Sequence, residues 1–365
     1  MLKGRATVRS RTRADKPAAV VAALTLALAT GCSDGTNATP KITTTARAGV
    51  APVPPKEGAY FGAWVPRSAA SSRSPSREAS DAPESGEAPP GAPSARPLPG
   101  PLGDFERHLG RPLDIVHHYR GWKSDFPTKE DTQVLGAGPR YLLLTWGGAD
   151  TREIVAGRHD ALIRKRARAI RNTRKPIFLR WQQDMDTQGA RARTHGAKDF
   201  VEAWKHLRTI FAQERVDNVA WVWCPTATGF GSRNAQSFYP GDDQVDWICA
   251  DAQPGGDHDY RDLSETLKLF LDWAGDRPKP IMVAEFGVPV SYGVRRAEWL
   301  RRAAETLQNP QVKAVVYFNS DERAQTPDDH RRRYAVTGDK QAVSALRELA
   351  TTPYFNPRNL PVTSG

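Results

Sequence analysis

The chain has 365 residues, 39% of them hydrophobic, and a formal net charge of +11. Its first hundred residues lack the composition of packed protein, so about one large domain remains. The charge is uneven: Lys3, Arg5, Arg9, Arg11, Arg13 and Lys16 face only Asp15 near the start. The other basic run, Arg158 to Lys175, reads as the solvated face of a helix. A nucleic-acid partner is therefore not expected, because such a surface joins its charges to exposed aromatics in one stripe.

In chain order, the basic start is followed by an apolar stretch, Ala18 to Ala29, too short to span a membrane. Ala29-Thr30-Gly31-Cys32 then resembles a bacterial lipobox. Residues 1–32 are expected to be a signal segment, with Cys32 lipidated and the protein held at the outer face of the cell membrane. Simple secretion is the alternative. Residues 33–56, rich in Thr, Ala and Pro, read as a disordered tether. A first strand is predicted over Gly58–Val65. Residues 66–103, dense in Ser, Pro, Ala and Gly, read as a low-complexity loop inserted after it.

From there strands and helices alternate. Strands are predicted at Pro112–Tyr119, Arg140–Trp146, Ile177–Trp181, Asn218–Cys224, Val245–Cys249, Ile281–Glu285 and Val312–Phe318. Helices are predicted at Arg158–Thr173, Lys198–Glu214, Leu263–Ala274, Arg295–Leu307 and Lys340–Leu349. Short apolar runs of this kind suit parallel strands buried on both faces. Eight strands with intervening helices over 57–352 predict a (β/α)8 TIM barrel, followed by a tail at 353–365. Cys224 and Cys249 fall on consecutive strands. They are placed to pair or to remain buried free thiols, and the second reading is favoured.

The carboxyl ends of barrel strands carry chemistry. Asp184 follows the strand ending at Trp181, and Glu285 closes the strand Ile281–Glu285. Two carboxylates in one aromatic-lined cleft are the minimum equipment for hydrolysing a glycosidic bond. Trp146, Trp223 and Tyr317 are candidate sugar platforms. Arg180, Trp181, Gln183 and Asp251 are further candidates for substrate binding, with Arg180 balancing charge below the cleft. No GxGxxG or Walker loop lies at a strand end, so no nucleotide cofactor is expected. His117 and His118 are adjacent and point to opposite faces of a strand, so no metal site is expected either.

Several segments together resemble glycoside hydrolase family 26, the β-mannanase-like retaining enzymes. They are Arg180 to Asp186, Trp221-Val-Trp-Cys-Pro225, Phe238-Tyr-Pro-Gly-Asp-Asp243 with Val245-Asp246-Trp247, Ala284-Glu285-Phe-Gly287, and Val316-Tyr-Phe-Asn319. The resemblance runs from about Ala59 to Leu349. It implies that Glu285 is the nucleophile, that Asp184 is the acid/base, and that the substrate is a β-linked polysaccharide such as β-mannan, cleaved internally. The chain departs from the family pattern at four places. Gln183-Asp184 stands for His-Glu, Asp186 for Asn, Thr226 for Asn, and Gln253 for the Tyr expected to hydrogen-bond the nucleophile. These departures motivate a second reading, a catalytically impaired barrel that binds glycan. A third has Asp184 and Asp186 sharing the acid role.

Overall fold

The apolar runs become eight parallel strands: β1 (Tyr60–Trp64), β2 (Ile115–Arg120), β3 (Tyr141–Trp146), β4 (Ile177–Trp181), β5 (Val219–Trp223), β6 (Trp247–Ala252), β7 (Ile281–Phe286) and β8 (Val312–Phe318). Each pairs with the next, and β8 pairs with β1, so the sheet closes into a barrel with helices between its strands. The computed structural model describes residues 41–66, 96–254, 260–324, 326 and 329–363. The expected leader, with Cys32, and most of the low-complexity stretch lie outside the described residues.

Strand parity divides the apolar side chains into two sets. Tyr60, Ile115, Leu143, Phe178, Val222, Cys249, Met282 and Val316 pack with one another inside the barrel. Phe61, Val116, Leu144, Leu179, Trp221, Ile248, Val283 and Val315 pack outward with helix residues such as Ile163, Phe200, Phe270 and Leu300. The helices Asp160–Thr173, Ala197–Gln213, Leu263–Ala274 and Arg296–Leu307 supply this outer layer.

The register Val222↔Trp247 and Trp223↔Ile248 brings Cys224 opposite Cys249 on the inward face. Their Cα atoms are 4.4 Å apart and the sulfurs form a disulfide. This corrects the expectation of two free thiols: neighbouring strands in register and on one face leave the sulfurs nowhere else to point.

The tether expectation also differs in its described part. Thr43 donates its backbone N–H to Pro278, Thr45 bonds Asp246, and Arg47 pairs with Asp217 at 2.7 Å. Those three partners precede β7, β6 and β5, so residues 41–56 cross the amino-terminal end of the barrel, with Ala51 buried. The expected loop likewise gives way at its end to a helix, Gly100–Leu109. The expected tail is anchored by buried Phe355 and Leu360 and by Thr363 bonding Gly110. In all three places a few specific anchors order a segment whose average composition hides them.

The same end of the barrel is clamped by a buried ion pair. Arg111 donates to Asp114 at 2.7 Å and to the Ala350 carbonyl at 3.0 Å. The other role of Asp114 Oδ2 is to accept the Phe61 N–H of β1 at 3.1 Å. Removing one partner leaves the other charge buried and uncompensated. Asp114→Ala is therefore expected to cost about 3–5 kcal/mol in urea unfolding; a loss under about 1 kcal/mol would mean that the guanidinium is hydrated instead.

Candidate active site

At the carboxyl end of the barrel the interior becomes polar. Inward parity on β4 puts Arg180 into the centre, where it is fully buried. Its Nε donates to Thr145 Oγ1 on β3 at 2.7 Å. Its Nη1 forks onto both oxygens of Asp251 on β6 at 2.7 and 2.8 Å. Its Nη2 reaches Glu285 Oε1 on β7. One guanidinium thus ties three strands to the strand that carries it.

Glu285 reaches this centre through a β-bulge. Along β7, Met282 and Ala284 point inward, so strict alternation would turn Glu285 outward. The β6–β7 register runs Ala250↔Val283 and then Asp251↔Glu285, with Ala284 as the extra residue. The bulge restores inward parity at Glu285 and sends Phe286 out to the helix layer. Glu285 is fully buried. Its Oε1 also accepts from the Tyr119 hydroxyl of β2. Its Oε2 accepts from Gln253 at 3.1 Å and from Arg323 at 2.6 Å.

These partners set the charges. Burial alone would raise Glu285, but the guanidinium groups of Arg180 and Arg323 outweigh it and hold the carboxyl far below its usual range. Burial and then the nearby Glu285 charge push Asp184 up to about 6. Burial, opposed by Arg180, raises Asp251 as well. Both Asp251 oxygens carry the Arg180 fork and Asp184 Oδ1 is buried without a partner, and the two aspartates, both raised, titrate as a coupled pair. His117 is held neutral by burial and by Arg180. Its Nε2 faces the Thr145 hydroxyl at 2.8 Å and the Arg180 guanidinium at 3.4 Å, which assigns its proton to Nδ1.

Asp184 lies past β4 in a turn, not on an extended strand: Thr187 N–H returns to the Asp184 carbonyl at 3.0 Å. Its φ is 53°, a left-handed conformation that Asp tolerates better than most side chains. Asp186 is pulled away from it. Its carboxylate accepts the Thr226 N–H at 3.0 Å and the Thr226 hydroxyl at 2.7 Å, and it faces Arg233 at 3.3 Å. Asp186 therefore pins the β4 loop to the β5 loop, which corrects the idea of a shared acid role. A Cβ at Gly229 would lie 1.9 Å from Asp186 Oδ2, so that pin also requires glycine there.

The aromatic platforms are a second correction. Trp146, Trp181, Trp223 and Tyr317 have outward parity and are buried in the helix layer. Trp146 stacks on Trp122 at 4.4 Å, Trp181 stacks on Phe200 at 5.3 Å, and Trp223 donates to the Phe238 carbonyl. Among the tryptophans, the inward ring at this end is Trp64 of β1. It is partly exposed, stands edge-on to Tyr119 at 4.9 Å, and has an indole N–H with no protein partner. Gln183 is half-buried beside Asp184. A third correction concerns Gln253: the bond expected to vanish with the Tyr is supplied by its amide. Tyr119, Gln253 and Arg323 were not singled out as site residues by sequence. Tyr119 shares its parity with His117 on β2, a signal that could have found it; for Arg323, on the segment after β8, no periodic signal exists.

No family model matches the chain. Over 279 residues it is 23% identical to Endoglucanase H of Acetivibrio thermocellus, covering 72% of this chain and 30% of that protein. Over 171 residues it is 25% identical to a β-1,3-xylanase of a Vibrio species, covering 44% of this chain and 35% of that protein. The chain thus spans only about a third of the length of these curated relatives. A glycoside hydrolase family 26 β-mannanase from Bacteroides ovatus superposes with a TM-score of 0.56 at 11% identity, over 82% of this chain and 90% of that one. A family 26 endo-β-1,4-mannanase from Cellulomonas fimi gives 0.54 at 13%, over 81% and 71%. These structures share the barrel fold.

The proton on Asp184 has a thermodynamic consequence. A carboxyl whose folded pKa lies above its unfolded value keeps a proton that the unfolded chain has shed, so its contribution to stability falls as pH rises between 3.8 and about 6. Asp184→Asn should therefore gain stability relative to the parent across that interval in urea melts. A difference that stays flat with pH would place the proton elsewhere.

Proposed function

We propose that this chain is a retaining, endo-acting glycoside hydrolase that cleaves a β-linked polysaccharide such as β-mannan. The observation that carries the reading is the opposite poise of two carboxyls at one barrel end. Glu285 is kept ionised by two guanidinium groups, and Asp184 is kept protonated by burial and by Glu285. That division of labour is what acid and nucleophile require of two chemically similar side chains. The relatives named as an endoglucanase and a xylanase, and the β-mannanase neighbours, support the same class.

In this reading a Glu285 oxygen attacks the anomeric carbon while Asp184 gives its proton to the departing glycosidic oxygen. The covalent glycosyl-enzyme is then opened by a water that loses its proton to the Asp184 carboxylate. Arg180 and Tyr119 hold Glu285 Oε1, which leaves Oε2 as the attacking atom once Arg323 and Gln253 release it. Trp64, partly exposed, offers a ring face to the sugar. The shorter Asp arm is partly matched to its turn, since the left-handed backbone at Asp184 suits Asp better than Glu. Attachment through a lipidated Cys32 belongs to the same proposal. The basic start and lipobox-like residues support it, as does an internal disulfide, which suits an oxidising exterior.

The complete seal over Glu285 favours a second reading, a barrel that binds glycan without cleaving it. Kinetics separate the two. The hydrolase reading expects kcat/KM on β-mannan to fall as pH rises through about 6, where Asp184 loses its proton. Asp184→Ala should lower kcat by about 10²–10⁴-fold and flatten that limb. Glu285→Ala should abolish turnover. A parent that binds glycan yet releases no sugar at any pH would leave the binding reading standing.

A further inference from the structure

Four donors saturate the Glu285 carboxylate, and two of them, from Gln253 and Arg323, fill the Oε2 atom that must be free to attack. Arg323 is the donor built to leave. It sits on the segment after β8, its side chain is 38% exposed, and its guanidinium rests over the Phe318 ring at 4.5 Å. Arg180, by contrast, is wholly enclosed. Gln253 follows Arg323, because its amide oxygen is the other atom that Arg323 holds.

Pulling Arg323 from Glu285 separates a cation from an enclosed anion, and what enters must offset that loss. A neutral sugar brings only hydroxyls. A sugar acid brings a carboxylate, whose two oxygens match the planar fork of the guanidinium. The neighbouring surface has the same sign. A cavity of about 300 Å³ is lined by the residues that directly follow Asp184 and by Arg191 and Arg233. Arg233 is paired there with Asp186, so Arg191 carries the lining's uncompensated positive charge. We propose that the substrate class is an acidic β-linked polysaccharide, and that Arg323 moves from Glu285 to the carboxylate of the sugar bound against it. This rests on the hydrolase reading for its chemistry, but its recognition step is measurable without turnover.

The test is calorimetric binding of the full chain to a β-1,4-mannuronate hexamer and to β-1,4-mannohexaose, its carboxyl-reduced counterpart, at one ionic strength. The parent should bind the mannuronate at least about tenfold tighter, and Arg323→Gln should bring the ratio below about threefold. Arg323→Lys, which keeps charge but loses the fork, should fall between, and circular dichroism confirms that each variant is folded. Equal binding of the two hexamers, binding of neither, or a preference unchanged in Arg323→Gln overturns the proposal. Released reducing ends are counted in the same samples. Cleavage of mannohexaose without uronate preference sinks this inference alone, and uronate preference without cleavage sinks only the hydrolase reading.

Discussion

A buried guanidinium in the middle of a barrel is the constraint on which this site depends. Arg180 has no exposed atom to hydrate, so its charge must be met by the protein. Asp251 and Glu285 meet it, from two adjacent strands. With Asp184 beside them, three carboxyls share the space with two guanidinium groups, Arg180 and Arg323, and a neutral His117. Full ionisation would leave one excess negative charge in a largely enclosed site. Retaining one proton removes it, and the coupled pair Asp184 and Asp251, both raised by burial, is the place for that proton. The difference between the two principal carboxyls is thus a product of charge counting under burial, and the poise needed for acid and nucleophile follows from the same arithmetic.

The backbone does the aiming. One extra residue in β7, Ala284, turns Glu285 inward and registers it opposite Asp251. Without it strict alternation would turn the carboxylate toward the helix layer, away from Arg180. A left-handed turn after β4 folds Asp184 back over the same centre, with its N–H on the Cys224 carbonyl at 3.2 Å. Three departures from the family 26 pattern, Asp186, Thr226 and Gln253, are tied into hydrogen bonds, while Asp184 leaves its Oδ1 unpartnered. Asp186 and Thr226 bond each other, with Arg233 closing the pair. Gln253 meets both Glu285 and Arg323. At those three positions one hydrogen-bonded polar arrangement stands in place of another. That is how a site changes without collapsing.

Sequence made the barrel legible because apolar runs bounded by polar turns repeat eight times, and it marked Asp184, Arg180, Asp251 and Glu285 because strand ends are easily located. Parity was not legible. A parallel strand buried on both faces shows no alternation, so nothing in Tyr-Leu-Leu-Leu-Thr-Trp146 says that Thr145 points in and Trp146 out. The same ambiguity sent Trp181, Trp223 and Tyr317 to the cleft on paper and to the helix layer in space. The bulge at Ala284 leaves no compositional trace. Arg323 belongs to a segment with neither period nor cap, and only the pairing of β8 with β7 brings it over Glu285. Residues 41–56 and the two cysteines show the same limit, since single anchors and strand registers are three-dimensional facts.

The most direct test of the account is covalent trapping. A 2-deoxy-2-fluoro glycosyl donor with a good leaving group, chosen from the β-mannosyl and β-mannuronyl series, would be incubated with the full chain and the labelled peptide identified by mass spectrometry. The account predicts one adduct, on Glu285, lost in Glu285→Gln and formed without Asp184 because the leaving group needs no proton. Label on Asp184 or Asp251, or leaving-group release with no adduct at any time, would contradict the claim that Arg180 holds Glu285 as the anionic nucleophile.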